Sequence, residues 1–175
     1  ISVIPGGVED NTVFFEIKGL KSGKTTVNAL SFEGNKSCSF DVEVYEEITG
    51  FESRDNLFVV AEDGNRYVLK NQSYFTFLPQ SCKTPEIRYT YNDIEVTEII
   101  GQKDNLTNNT YIKFVGADGQ ILTDAQGQDI KFLQGNIILT AEVLDYTTSE
   151  PISNISAKEL TLQIVPKIES GNLKL

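Results

Sequence analysis

Apolar and polar residues alternate with a period of two through most of this chain, and no segment carries a long helical stripe. Val13, Phe15 and Ile17 alternate with Phe14, Glu16 and Lys18. Thr25, Val27 and Ala29 alternate with Thr26 and Asn28, and Phe40, Val42 and Val44 alternate with Asp41 and Glu43. Successive side chains of a strand point to opposite faces, so each pattern reads as a strand with one face in a core and one in water. Leu57–Ala61 and Arg66–Lys70 flank Glu62-Asp63-Gly64-Asn65, whose Asp-Gly suits the positive φ of a tight turn; the two segments are expected to pair as a hairpin. Ser73–Leu78, stopped by Pro79, and Pro85–Tyr91, Tyr111–Val115, Asn136–Leu144 and Lys158–Val165 bring the total to about ten strands. Polar Gly101–Asn109 reads as a loop and Gly116–Gly119 as a turn. Short strands at this spacing predict an all-β sandwich or barrel.

The chain also repeats itself. Gly23-Lys-Thr-Thr-Val27-Asn-Ala29 and Gly135-Asn-Ile-Ile-Leu139-Thr-Ala141 share a glycine, three residues, an aliphatic, one residue and an alanine. Downstream, Phe40, Val42, Val44 and Ile48 match Leu160, Leu162, Ile164 and Ile168 at identical spacing. The glycines are 112 positions apart and the second motifs 120, so the copies differ by one 8-residue insertion, placed in Asp145–Ile155. On this register residues 46–167 form one complete module. Residues 1–45 are the C-terminal half of a preceding module, and 168–175 the start of a following one or a tail. With no initiator Met, the 175 residues are expected to be a mature or excised piece of a longer array.

Composition narrows the chemistry. The chain has no His, Met or Trp, which removes imidazole as general base and as zinc ligand. A net charge of −10, with no clustered basic residues, disfavours nucleic acid and anionic membranes as partners, and the apolar runs are far too short for a membrane span. Cys38 and Cys82 are too few for a structural zinc site. Five sequons, at Asn35, Asn71, Asn105, Asn108 and Asn154, exceed the roughly two expected by chance from this content of Asn, Ser and Thr. They point to a secreted chain, while a Ser/Thr/Asn-rich strand surface explains them equally well.

Gly19-Leu-Lys-Ser-Gly23-Lys-Thr-Thr-Val27-Asn-Ala29, a turn at Glu33-Gly-Asn35, and Cys38-Ser-Phe-Asp-Val-Glu-Val44 together resemble the C-terminal half of bacterial Ig-like domains of group 2, found in intimin- and invasin-type adhesins. Asp118-Gly119 ahead of Gly135 looks like the same ending in the second copy. The resemblance covers the last third to half of each module. It implies Ig-like Greek-key β-sandwich modules in tandem, at the cell surface or extracellular, acting as stalk or adhesive repeats without an active site. The same fold occurs in luminal repeats of a nuclear-pore membrane glycoprotein. A paired Cys on facing strands and a core Trp, marks of antibody-type domains, are missing.

Candidate sites are few. Gly19-Leu-Lys-Ser-Gly-Lys-Thr-Thr26 imitates a phosphate loop, but three residues rather than four separate its glycines and a β-branched strand follows instead of a helix. Glu62-Asp63, Asp118, Asp124, Asp129 and the linker set Glu46, Glu47 and Glu52 offer oxygen ligands without the alternating acids of an EF-hand, and turn chemistry accounts for them. No catalytic residue, metal or cofactor is expected. Cys38 shares the phase of Phe40 and Val42 and is expected to be buried, free and unbonded to the more exposed Cys82. Of the aromatic residues near the middle of the chain, Tyr74, Tyr89 and Tyr91 form the candidate ligand face. The expected function is a non-catalytic structural or adhesive repeat of a secreted or surface protein, partnered by neighbouring Ig-like modules and by a host protein or glycan. The alternative is a carbohydrate-binding accessory module of a secreted enzyme, or a luminal Ig-like repeat of a eukaryotic membrane glycoprotein.

Overall fold

The structure, a computed structural model, describes residues 1–10, 12–31, 36–54, 56–70 and 72–167. The expected turn at 33–35, the sequons at Asn35 and Asn71, and the segment 168–175 lie outside the described residues. The chain divides into two compact units, Ile1–Ile48 with Leu78–Lys83, and Thr49–Phe77 with Thr84–Leu175. It is all-β; the helical piece among the described residues is a single 3-10 turn at Gln72–Tyr74.

In the first unit β1 (Ser2–Glu9) pairs antiparallel with β2 (Thr12–Lys18), with a bulge between Pro5 and Gly7. β3 (Gly23–Leu30) pairs antiparallel with β4 (Ser37–Val44). Each pair is a separate two-stranded sheet, and β1, a strand interrupted by Gly6-Gly7, carries too little alternation to be read from sequence. The expected burial of the apolar phase fails here: Val13, Phe15, Phe40 and Cys38 are exposed. Alternation makes a face apolar, but only a second layer buries it, and the described residues of this unit provide none over these strands.

The second unit has that second layer. Its strands are β5 (Gly50–Ser53), β6 (Leu57–Ala61), β7 (Arg66–Val68), β8 (Phe75–Leu78), β9 (Glu86–Tyr91) and β10 (Ile94–Glu95), then β11 (Glu98–Lys103), β12 (Thr110–Val115), β13 (Lys131–Phe132), β14 (Gly135–Leu144) and β15 (Lys158–Pro166). One sheet runs β10-β9-β14-β15-β6 and the other β13-β12-β11-β7, with β5 and β8 as a separate pair. Between the sheets lie Val59, Ile99, Ile112, Phe114, Leu139, Leu160 and Leu162, all fully buried. Rings bridge the layers: Tyr91 of the first sheet meets Phe114 and Phe132 of the second edge-on, at 5.3 and 5.7 Å between centroids. Phe51, Phe75 and Tyr89 form a second aromatic cluster, Phe75 standing 5.1 Å from Phe51 and 6.3 Å from Tyr89.

Two expectations for this unit are overturned. The turn at Glu62–Asn65 exists, with Gly64 at φ +82° and the Asn65 N–H donating to the Glu62 carbonyl, yet β6 and β7 are not a hairpin. They belong to different sheets, so the turn is the corner between layers; the Val60 N–H donates to the Tyr67 hydroxyl at 3.1 Å across it. A turn motif fixes the local reversal and leaves the partner of each strand to packing. Gly101–Lys103 is not loop but the end of β11, paired with Thr110–Ile112 of β12. Its polar residues are the solvent end of a strand whose Ile99 is buried.

The loops that close β11–β12 and β14 into the next segment share one device. Asp104 Oδ1 accepts from the N–H groups of Leu106 and Thr107 at 2.8 and 3.0 Å, and Asp145 Oδ1 from those of Thr147 and Thr148 at 2.7 and 2.9 Å. Four residues on, Asn108 and Ser149 take φ of 60° and 59°. These backbone donors hold both carboxyls below the usual carboxylate range. A carboxyl lowered in the folded state stabilises the fold fully above its unfolded pKa of about 4, and that contribution is lost as pH falls through the folded value. Urea midpoints should therefore fall between pH 5 and pH 2.5, and the double variant D104N/D145N should show a shallower fall over that window.

Candidate functional site

The phosphate-loop imitation resolves into strand geometry. Gly23 opens β3 at φ +138°, a conformation side chains rarely adopt, and Gly135 opens β14 at φ +116°. Lys24, the residue that would face a phosphate, instead meets Glu43 on the neighbouring strand at 3.0 Å. The nearby Ser22 hydroxyl donates to Glu46 Oε1 at 3.1 Å.

These glycines mark a deeper equivalence. In the first hairpin Gly23 pairs with Val44, Thr25 with Val42 and Val27 with Phe40; in the second, Gly135 pairs with Ile164, Ile137 with Leu162 and Leu139 with Leu160. Each pair in one hairpin is the repeat counterpart of a pair in the other, so the sequence repeat is also a repeat of strand register. Burial differs sharply between them. Leu139, Ala141, Leu160 and Leu162 are fully buried, whereas Phe40 is 47% exposed and Val27 and Val42 are half-buried.

The difference lies in the flanking strands. β14 is covered on its outer edge by β9, and β15 by β6, which runs parallel with Leu57 opposite Leu162 and Val59 opposite Ile164. Among the described residues no strand pairs with the outer edges of β3 or β4. One bridge lies just beyond β4, where Glu46 meets Cys82 in the parallel sense. The Glu46 N–H donates to the Ser81 carbonyl at 3.4 Å, and the Ser81 hydroxyl donates to Glu46 Oε2 at 2.6 Å. The hydroxyls of Ser81 and then Ser22 hold the Glu46 carboxyl below its usual range. Sequence reasoning missed this edge, although its signal was present in the repeat: every strand that flanks one hairpin raises the question of what flanks the other.

The three tyrosines do not form one exposed face. Tyr89 is 2% exposed against Phe75, and burial pushes its hydroxyl pKa up strongly, with a smaller push from Tyr74. Tyr91 is half-buried between Phe114 and Phe132, and Tyr74, in the 3-10 turn, is half-buried with its pKa raised by burial. The inward phase of β9 takes Tyr89 and Tyr91 into the sandwich.

Cys38 is exposed and Cys82 half-buried, and both are free. Burial, followed by the weaker influence of the Glu46 carboxylate, raises the Cys82 thiol pKa. Among the described residues no three acids or cysteines gather as a metal site. Asp63, Asp118 and Asp124 accept instead from backbone N–H groups of Lys103, Gln120 and Gln126 at 2.8 to 2.9 Å, and Asp129 meets Lys113 at 2.6 Å.

A cleft of about 430 Å³ in the second unit holds Lys70, Arg88, Glu86 and Glu95 around Leu69, Ile87 and Leu144. Arg88 is already engaged by Glu142, directly opposite on β14, through Nε at 3.1 Å and Nη2 at 2.8 Å. The Thr97 hydroxyl donates to the carbonyls of Val115 and Gly116 at 3.3 and 3.0 Å. With Arg88 balanced by Glu142 and the Thr97 hydroxyl turned to the backbone, the cleft offers Lys70, Glu86 and Glu95 for polar contacts.

Compared with protein-family models, with curated proteins and with solved structures, the chain matches none.

Proposed function

We propose that the chain is a structural repeat segment of a secreted or cell-surface protein, in which β-sandwich modules of the bacterial Ig-like kind stand in tandem and transmit tension. The observation that carries this reading is the register-for-register equivalence of β3–β4 and β14–β15. Two hairpins with the same glycine opening, the same cross-strand partners and one loop insertion are what duplication of a module leaves behind. The resemblance of the segment Gly19–Val44 to group 2 bacterial Ig-like domains supports the surface setting. Exposure of the sequons at Asn105, Asn108 and Asn154 agrees with it.

The topology suits such a role. β6 and β15, the first and last strands of the five-stranded sheet, run parallel and are paired over Leu57–Ala61 and Leu162–Pro166. Tension along the chain pulls two parallel strands in opposite directions from their far ends, so their hydrogen bonds share the load in shear instead of opening one by one. Forced unfolding reports the height of that barrier. In single-molecule pulling, the second unit should unfold in one high-force event, and Val59→Pro, which removes a strand N–H within the parallel pairing of β6 with β15, should lower that force markedly. Unfolding at equally low force in both chains would overturn the tension-bearing role, and reproducible binding in a glycan-array screen would overturn it in favour of a carbohydrate-binding module.

A further inference from the structure

We infer that the outer edge of β4 is a strand-acceptor site: it takes up an extended polypeptide segment from outside these 175 residues, running parallel to β4 with its alternate apolar side chains beside Val42 and Val44. The inference uses the repeat of register and does not need the tension-bearing role.

β15 is the template. Its outer edge is occupied by β6, with Leu57, Phe58 and Val59 opposite Leu162, Gln163 and Ile164. The repeat equates these three β15 residues with Val42, Glu43 and Val44. Directly paired residues share a face of the sheet, so a segment with the β6 pattern places its first and third side chains on the face of Val42 and Val44 and its middle one beside Glu43.

Three observations single out this edge. Among the described residues it carries no paired strand, although its counterpart does. The apolar side chains that such a strand would help to cover, Val42, Val44 and Phe40, are half-buried or exposed where Leu160, Leu162 and Ile164 are buried. The direction is already set at the end of the edge: Glu46 corresponds to Pro166, whose parallel partner is Ala61, and Glu46 itself bridges Cys82 in the same parallel sense. Cys82 therefore stands where the last residue of an incoming strand would stand, and among the described residues no strand pairs with the outer edge of β4 before it. An unpaired apolar edge of this kind is the substrate of recognition by strand addition, in which main-chain hydrogen bonds supply affinity and alternate side chains supply selectivity.

The charge at Glu43 makes the register testable. Synthetic peptides with the sequence Asn-Leu-x-Val-Val-Ala, where x is Phe, Lys or Glu, are titrated against the intact chain, and hydrogen exchange is read at the amides of residues 40–44. Protection of those amides with the Phe peptide, and a preference of about threefold for Lys over Glu at x that reverses in the Glu43→Lys chain, are the expected results. A second variant, Val42→Pro, should abolish peptide protection while circular dichroism verifies that the sheets are retained. No protection by any peptide would overturn the inference, as would a charge preference indifferent to Glu43. Concentration-dependent self-association that protects the same amides without peptide would also overturn it, by making a second copy the occupant.

Discussion

Replacing Gly101 by Ala is expected to destabilise the second unit by about 3–5 kcal/mol, one of the largest effects of any single methyl group in this chain. Gly101 lies in β11 at the point where the inter-sheet corner Glu62–Asn65 folds down onto it. A Cβ built there would overlap the carbonyl oxygen of Glu62, and would press on that residue's carbonyl carbon and amide nitrogen as well. All three are backbone atoms, so no side-chain rotation relieves the overlap. Two hydrogen bonds fix the same approach, from the Gly64 N–H to the Gly101 carbonyl at 3.0 Å and from the Gly101 N–H to the Asn65 carbonyl at 2.8 Å. Overpacking a rigid contact costs about 1–3 kcal/mol and sometimes more, and each strained hydrogen bond adds about 1 kcal/mol. Urea unfolding followed by circular dichroism should show a lower midpoint at unchanged slope, and the melting temperature should fall by about 10 °C. Gly64→Ala serves as the comparison: its φ is +82°, but no atom lies near its Cβ position, so it should cost only about 1 kcal/mol.

That corner also shows where the sequence could be read and where it could not. Asp63-Gly64 announced a reversal because the need for positive φ is local, a property of two residues. Whether β7 then returned beside β6 or crossed to the other sheet depended on Tyr67 reaching the backbone of Val60 and on Gly101 admitting the corner, contacts between residues up to 39 positions apart. The strands with clear alternation, β9, β14 and β15, and the unbroken apolar run of β6, were legible for the same local reason. β5, β10 and β13, of four residues or fewer, were too short to show a period. The candidate tyrosine face was misleading because period two assigns a residue to one of two faces without saying which is inside. Tyr89 and Tyr91 lie on the inward one. The repeat carried the most, since it located the equivalent register of two hairpins, and through that register the unpaired edge of β4.

Equivalent positions in the two hairpins are expected to respond unequally to the same deletion. Leu160→Ala should cost about 2–5 kcal/mol, because Leu160 is fully buried opposite Leu139 and truncation leaves a cavity between two sheets that cannot close around it. Phe40→Ala, its repeat counterpart opposite Val27, should cost less than about 1 kcal/mol although it removes a larger side chain. Phe40 is 47% exposed, so nearly half of what truncation removes was already in water, and no enclosing layer among the described residues is left with a void. The contrast isolates environment from sequence, since register, partner type and strand direction are shared. Urea titrations of the two variants beside the parent chain measure it directly. Equal costs would mean that Phe40 is enclosed after all. The same pair then probes the open edge: with saturating Asn-Leu-Phe-Val-Val-Ala peptide, the cost of Phe40→Ala should rise toward that of Leu160→Ala, because an added strand begins to supply the enclosure that β6 supplies to β15.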